Sequence, residues 1–115
     1  MVKAEIELQR DHEDKGQFAL RSCQSRTPVD LAVFTKKGVV FFQIKQTVRD
    51  KIFVGNEIKK LDQLDQNINS LSAIAVKFVQ KDTSTWVYCP VHCLIKNNLV
   101  TVSKDEKCCI KKEVR

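Results

Sequence analysis

Two short runs flanking Lys36, Lys37 and Gly38 constrain this 115-residue chain most strongly. Val29, Leu31 and Val33 alternate with Asp30 and Ala32, and Val39 to Gln46 follows as a second, mainly apolar run. Alternation, turn residues and a second run are the signature of a β-hairpin. A hairpin symmetric about the Lys36/Lys37 bond sets Asp30 directly opposite Gln43, with Cβ atoms roughly 5 Å apart. The side-chain period of two then puts Lys45 on the same face. Lys-Lys is a poor type I′ turn, so a longer loop ending at Gly38, with or without a bulge, fits as well. A three-residue loop without a bulge would separate Asp30 and Gln43 onto opposite faces. Gln43 and Lys45 interrupt Val39-Val40-Phe41-Phe42-Ile44, a run that otherwise suits a central strand, where polar groups are costly unless used.

The length, with 43% hydrophobic residues, is that of one domain spanning 1–115. Twenty Lys and Arg against fourteen Asp and Glu leave a formal net charge of +6, which favours a polyanionic partner, either nucleic acid or an anionic membrane face. No apolar run approaches the ~20 residues needed to cross a bilayer, and the amino terminus is charged from Lys3 onward, so a soluble, cytoplasmic protein without a membrane partner is expected. Five cysteines, Cys23, Cys89, Cys93, Cys108 and Cys109, are an odd number without a secretion signal, which favours reduced thiols. Cys89, His92, Cys93 and the Cys108/Cys109 pair match no familiar zinc-ligand spacing and read as ordinary thiols.

Lys3 to Lys15 is expected to be helical, with Ala4, Ile6 and Leu8 among charges and Gly16 as its stop. Phe18 to Ser22 forms a first strand, followed by a polar loop and the hairpin. After a basic loop from Thr47 to Gly55, Asn56 caps a helix from Glu57 to about Ile68, in which Ile58, Leu61, Leu64 and Ile68 recur at helical spacing. Ser72 to Gln80 is a buried strand, and Thr85 to Cys89 returns alongside it. Pro90 to Arg115 holds a short apolar piece, Leu99 to Val102, and a charged tail. The order αβββαββ gives an α/β sandwich: helices around a mixed central sheet.

Asp30 offers an anionic oxygen, Gln43 a neutral carbonyl oxygen at the same height, and the Ile44 backbone carbonyl lies between them. Hard oxygen donors of this kind suit magnesium, as phosphodiester hydrolysis requires. Lys45 is too basic to ligate a metal while charged. It is suited to orienting or deprotonating an attacking water, or to stabilising charge on the phosphate. A neutral Gln leaves such a site short of negative charge, and Glu5 or Glu7 from the first helix could complete it.

These residues and their order resemble the archaeal Holliday junction resolvase family of the PD-(D/E)XK nuclease superfamily. The likeness runs through Ala4-Glu5-Ile6-Glu7-Leu8, Gly16, Phe18-Ala19-Leu20-Arg21-Ser22, Ser25, Val29-Asp30-Leu31, Gln43-Ile44-Lys45, Thr47, Phe53-Val54-Gly55 and Ala75-Val76-Lys77-Phe78, about residues 3–90. It implies a restriction-endonuclease-like fold and a structure-selective endodeoxyribonuclease dependent on Mg2+, with Mn2+ as a substitute, that resolves four-way DNA junctions by paired strand cleavage. It implies Glu5, Asp30, Gln43 and Lys45 as active-site positions, Ser25 in the loop approaching the scissile backbone, and a homodimer with two sites. Arg21, Arg26, Lys36, Lys37, Arg49, Lys51, Lys59 and Lys60 become the phosphate-facing charges.

One departure bears on activity. The family usually carries Glu where this chain has Gln43, which removes a negative charge from the metal site, although superfamily branches resembling the Mrr restriction enzymes carry Q-x-K and are nucleases. Two further readings therefore stand beside the first: a restriction or repair nuclease acting on duplex DNA, and a noncatalytic DNA-binding module of the same fold. A basic interaction domain with none of this chemistry is the bland alternative.

Overall fold

The computed structural model describes residues 2–21, 29–68, 70–105 and, as backbone, 110–114. Its elements are α1 (Val2–Asp14), β1 (Phe18–Arg21), β2 (Leu31–Thr35), β3 (Gly38–Thr47), β4 (Lys51–Phe53), α2 (Gly55–Ile68), β5 (Leu71–Val79), β6 (Ser84–Pro90), α3 (Val91–Lys96), β7 (Thr101–Ser103) and β8 (Ile110–Val114). A six-stranded sheet runs in the order β1-β2-β3-β5-β6-β8, and β4 pairs with β7 in a second, two-stranded sheet. The β3–β5 pair is parallel and every other pair antiparallel. The one parallel pair is where α2 crosses over, because parallel strands need a connection long enough to return to the same end.

The helix α1 is built from good helix formers and presents Ala4 and Leu8, four residues apart, to the sheet. It ends in a Schellman turn: the Gln17 amide donates to the His12 carbonyl, the Gly16 amide donates to Glu13, and Gly16 takes φ 82°. Under α1 lie Ala19, Leu31, Val33, Phe42, Ile44, Ala73, Ala75 and Trp86; on the other side of the sheet Ile58 and Leu61 of α2 and Val91 and Leu94 of α3 pack on Ile74, Val76, Phe78, Val87 and Cys89. Truncating a side chain as buried as Leu8 or Leu61 would cost about 2–5 kcal/mol.

The hairpin is symmetric about the Lys36/Lys37 bond, with Thr35 paired to Gly38 and Leu31 to Phe42. Lys36 and Lys37 keep negative φ, and Gly38 at φ 125° absorbs the strain that a Lys-Lys type I′ turn would impose. The Thr35 hydroxyl seals the turn, donating to the Gly38 carbonyl at 2.8 Å and accepting the Lys37 amide.

Four expectations change. The helix α2 starts at Gly55, and the first helical bond runs from the Ile58 amide to the Val54 carbonyl, so Asn56 lies inside the first turn and does not cap it. The tip of the exposed Phe53 ring rests over Gly55, where an added Cβ would stand 2.6 Å from it and push the ring aside. The expected loop from Thr47 to Gly55 contains β4, and the tail after Pro90 supplies α3, β7 and β8. Cys89, expected as a reduced thiol, is disulfide-bonded. An odd cysteine count carries no information about proximity in the fold, which is what decides such a bond.

Candidate active site

Asp30 sits one residue before β2, and its own amide donates to the Phe42 carbonyl at 2.8 Å, which carries the hairpin pairing one step past Leu31. Its Oδ2 accepts two hydrogen bonds, from Gln43 Nε2 at 3.0 Å and from the Ile44 backbone amide at 2.8 Å. The carboxylate is therefore fixed in direction, while no hydrogen bond among the described residues reaches Oδ1. The Gln43 amide turns its NH2 group to Asp30, leaving its carbonyl oxygen as the end able to face an ion.

Lys45 lies on the same face two residues on. Phe42 and Ile44 take the opposite face and close the core under α1. One strand thus serves core and site by the period of two. Lys45 Nζ is held 2.7 Å from Glu57 Oε1, a residue in the first turn of α2. The sequence places Glu57 only as the start of the helix and not among the site residues, yet the topology points to it. A crossover helix begins beyond the carboxyl end of the strand it follows, so its first turn looks back at that strand's last residues.

The electrostatics divide the carboxylates. Burial raises the Asp30 carboxyl above its ordinary value, against the lowering effects of the Ile44 amide and the Lys45 charge. Glu5 is raised by burial and then by the Asp30 charge, with Arg21 and the amino terminus working the other way. Glu5, Asp30 and Arg21 thus share one electrostatic neighbourhood. Glu57 is different: burial would raise it, but the Lys45 hydrogen bond and charge, with Lys60, bring it below the ordinary value. Glu7, the other helix candidate, is ion-paired to Lys77 on the α1 face, away from Gln43 and Lys45.

The structure brings Asp30, Gln43, the Ile44 backbone and Lys45 together and sets Glu5 within charge range of Asp30. Ser25 and Arg26 lie outside the described residues. Lys36 and Lys37 occupy the hairpin tip, five register positions and roughly 17 Å from the Asp30 level. Arg21 ends β1 beside Leu31, Lys59 and Lys60 are exposed on α2, and Arg49 and Lys51 flank the turn after β3. Among the described residues no three His, Cys, Asp or Glu side chains converge as a metal site. An ion here would draw on amide, backbone and water oxygens besides Asp30 and Glu5.

The fold is similar to that of Archaeoglobus fulgidus Hjc, a Holliday junction resolvase from an archaeal hyperthermophile, with a TM-score of 0.67 and 15% identity, covering 98% of this chain and 88% of that one. That likeness sets the architecture: a mixed α/β sheet of the resolvase type, flanked by helices. A family model described as archaeal Holliday junction resolvase (Hjc) matches residues 2–113, and the chain belongs to that family. Its function is accordingly that of a nuclease resolving Holliday junctions. No curated protein matches the chain. No helix among the described residues is long and apolar enough to cross a membrane.

Proposed function

We propose that the protein is a divalent-metal-dependent endonuclease, using Mg2+ with Mn2+ as a substitute, that cuts paired strands of a four-way DNA junction from the site around Asp30. The observation that carries this reading is the Asp30 carboxylate, fixed through Oδ2 by Gln43 and Ile44, with no hydrogen bond to Oδ1 among the described residues and a lysine on the same face. The donor set fits such an ion. It consists of oxygens, and burial raises both neighbouring carboxyls, Glu5 further through the Asp30 charge, so that a cation between them is favoured. Asp30 and Glu5 would hold the ion with the Gln43 carbonyl oxygen and the Ile44 backbone carbonyl. When bound, a divalent cation lowers the pKa of its water and offsets charge on the phosphate.

The chain's own groups do the rest. Gln43 and the Ile44 amide orient the Asp30 carboxylate before substrate arrives. Lys45 places its ammonium on the same face, where it orients the attacking water or stabilises charge developing on the phosphate. Glu57 fixes Lys45, removing rotamer freedom that the reaction would otherwise have to overcome, and its lowered pKa keeps it anionic at neutral pH.

The pairing of two cuts calls for two sites, and a bare apolar surface supports a homodimer. Phe18, Leu20 and Phe34, 61%, 52% and 41% exposed, lie on the face of β1 and β2 opposite α1, while α2 and α3 pack on that face mainly over β5 and β6. The Phe18 and Phe34 rings already pack at 5.5 Å. Sedimentation of the wild type should give a dimer, and Phe18→Glu with Phe34→Glu should give a monomer.

The defining experiment is cleavage of a synthetic four-way junction with Mg2+ or Mn2+, beside a linear duplex of the same sequence. Symmetric nicks near the crossover are expected, with the duplex cut far more slowly. A wild-type protein that bound junctions and never cut them in either metal would end the enzymatic reading. Recovery of cutting by Gln43→Glu would then identify a binding module that lost turnover through this position.

A further inference from the structure

Beyond the carboxyl end of β3, where the site's strand runs out, the surface opens into a cleft of about 430 Å³ lined by Val48, Arg49, Asp50, Phe78, Val79, Gln80, Lys81 and Lys104. Three elements that are distant in the chain build it: the turn after β3, the end of β5, and the residue following β7. The Lys104 amide donates to the Asp50 carbonyl at 2.9 Å, which ties the β7 end to the turn, and the Thr47 hydroxyl accepts the Arg49 amide at 3.0 Å. Phe78 forms the buried floor. Arg49, Lys81 and Lys104 make no ion pair among the described residues, and Asp50 is the one carboxylate on the wall. Three cations and one carboxylate around a single opening leave it with a net positive field, which favours an anion.

The position relative to the site is fixed by register. Lys45 pairs with Val76, and Thr47 pairs with Phe78, so the cleft floor is two register steps along the same face from Lys45. Floor and rim therefore lie roughly 7–10 Å from the Lys45 level, or two to three steps of a nucleic-acid strand at about 3.4 Å per nucleotide.

We infer that the cleft of Arg49, Lys81 and Lys104 is a phosphate-backbone site that seats the DNA strand two to three nucleotides to one side of the scissile phosphate. This rests on the nuclease reading above and adds to it a second anchoring point. Val48, 82% exposed at the cleft mouth, offers an apolar surface to the sugars between the two points. The ligand chemistry is a polyanionic strand: the contacts are to phosphates and carry no base sequence.

The test measures binding of a fluorescein-labelled four-way junction across a salt series, without divalent metal, so that binding is read apart from cutting. For Arg49→Gln/Lys81→Gln/Lys104→Gln the slope of log K against log salt should shrink by about 2.7, and affinity at 0.1 M salt should fall roughly 500-fold. A charge-matched control, Arg10→Gln/Lys15→Gln/Lys96→Gln, should keep most of the wild-type slope. Methylphosphonates placed singly along the junction should weaken wild-type binding at two to three nucleotides from the cut on one side, and should cease to matter at that place in the triple variant. Should the triple variant unfold, Lys81→Gln alone should still lower the slope by about 0.9. A slope equal to that of the control, or interference confined to other positions, overturns the cleft site while leaving the nuclease intact. A wild-type protein that binds no junction overturns both.

Discussion

Two lysines on neighbouring strands make the same bond on opposite sides of the sheet. Lys45 on β3 reaches Glu57 of α2 at 2.7 Å, and Lys77 on β5 reaches Glu7 of α1 at 2.5 Å. Each glutamate comes from the helix covering its own face. What surrounds the pairs differs. Lys77 lies 6.0 Å from the Trp86 ring centroid, in a corner that Trp86 and Tyr88 close by stacking. The Tyr88 hydroxyl there is pushed well above its ordinary range, by burial first and then by Asp11 and Glu7. Lys45 instead lies two residues from Gln43, which holds Asp30. An ion pair does not make a site; a carboxylate held in a fixed direction beside it does.

That contrast can be broken at several points. The largest effect should come from Lys45→Met, which removes charge stabilisation at the phosphate and should lower junction cleavage by roughly 10²–10³-fold, at a stability cost of about 1 kcal/mol from the lost Glu57 pair. Lys77→Met should leave cleavage within twofold of wild type, on the order of experimental scatter. Next comes Glu57→Gln, which keeps shape but releases Lys45 and should slow single-turnover cleavage about 10–100-fold with little change in junction affinity. If Glu57→Gln cuts at the wild-type rate, the positioning role is wrong.

Glu7→Gln should do the reverse, sparing the rate and costing about 1 kcal/mol, because Lys77 keeps 15% of its side-chain surface exposed and Glu7 keeps 36%. In a chain of this size that corresponds to a fall in Tm of roughly 4 °C. The smallest effect is one of pH. Asp30 and Glu5 have raised pKa values, so the folded chain binds more protons than the unfolded chain between the ordinary and raised values, and stability falls as pH rises through that window. Asp30→Asn and Glu5→Gln should therefore each raise Tm slightly at pH 7. Both gains should vanish below the ordinary values of 3.8 and 4.5, where the wild-type carboxyls are protonated in both states. A loss of stability at pH 7 in either variant would show that its carboxylate is compensated in the native state.

The hairpin was legible because alternation sets faces and the turn sets register. Asp30, Gln43 and Lys45 fall on one face, and Phe42 and Ile44 on the other, in the symmetric register that was one of the turns the sequence left open and that the structure adopts. The helix α2 was legible through Ile58 and Leu61, but its start was misplaced. Asn56 has the chemistry of a cap, whereas the first helical bond goes back to the Val54 carbonyl, a residue with no side-chain cap to announce it. Glu57 was overlooked for the same reason, since a glutamate in a first helical turn looks like ordinary dipole complement. The strands β4 and β7 have three residues each and pair across the intervening α2, β5, β6 and α3, too short for periodicity to register. Lys81 and Lys104 then escaped notice, because their meeting with Arg49 depends on that pairing.

The most direct test of the account is Asp30→Ala on a synthetic four-way junction in Mg2+. The variant should bind the junction with wild-type affinity and produce no nicks, because the carboxylate that Gln43 and Ile44 hold in place is gone while the basic surface is untouched. Cleavage by Asp30→Ala at the wild-type rate would show that the chemistry resides elsewhere in the molecule.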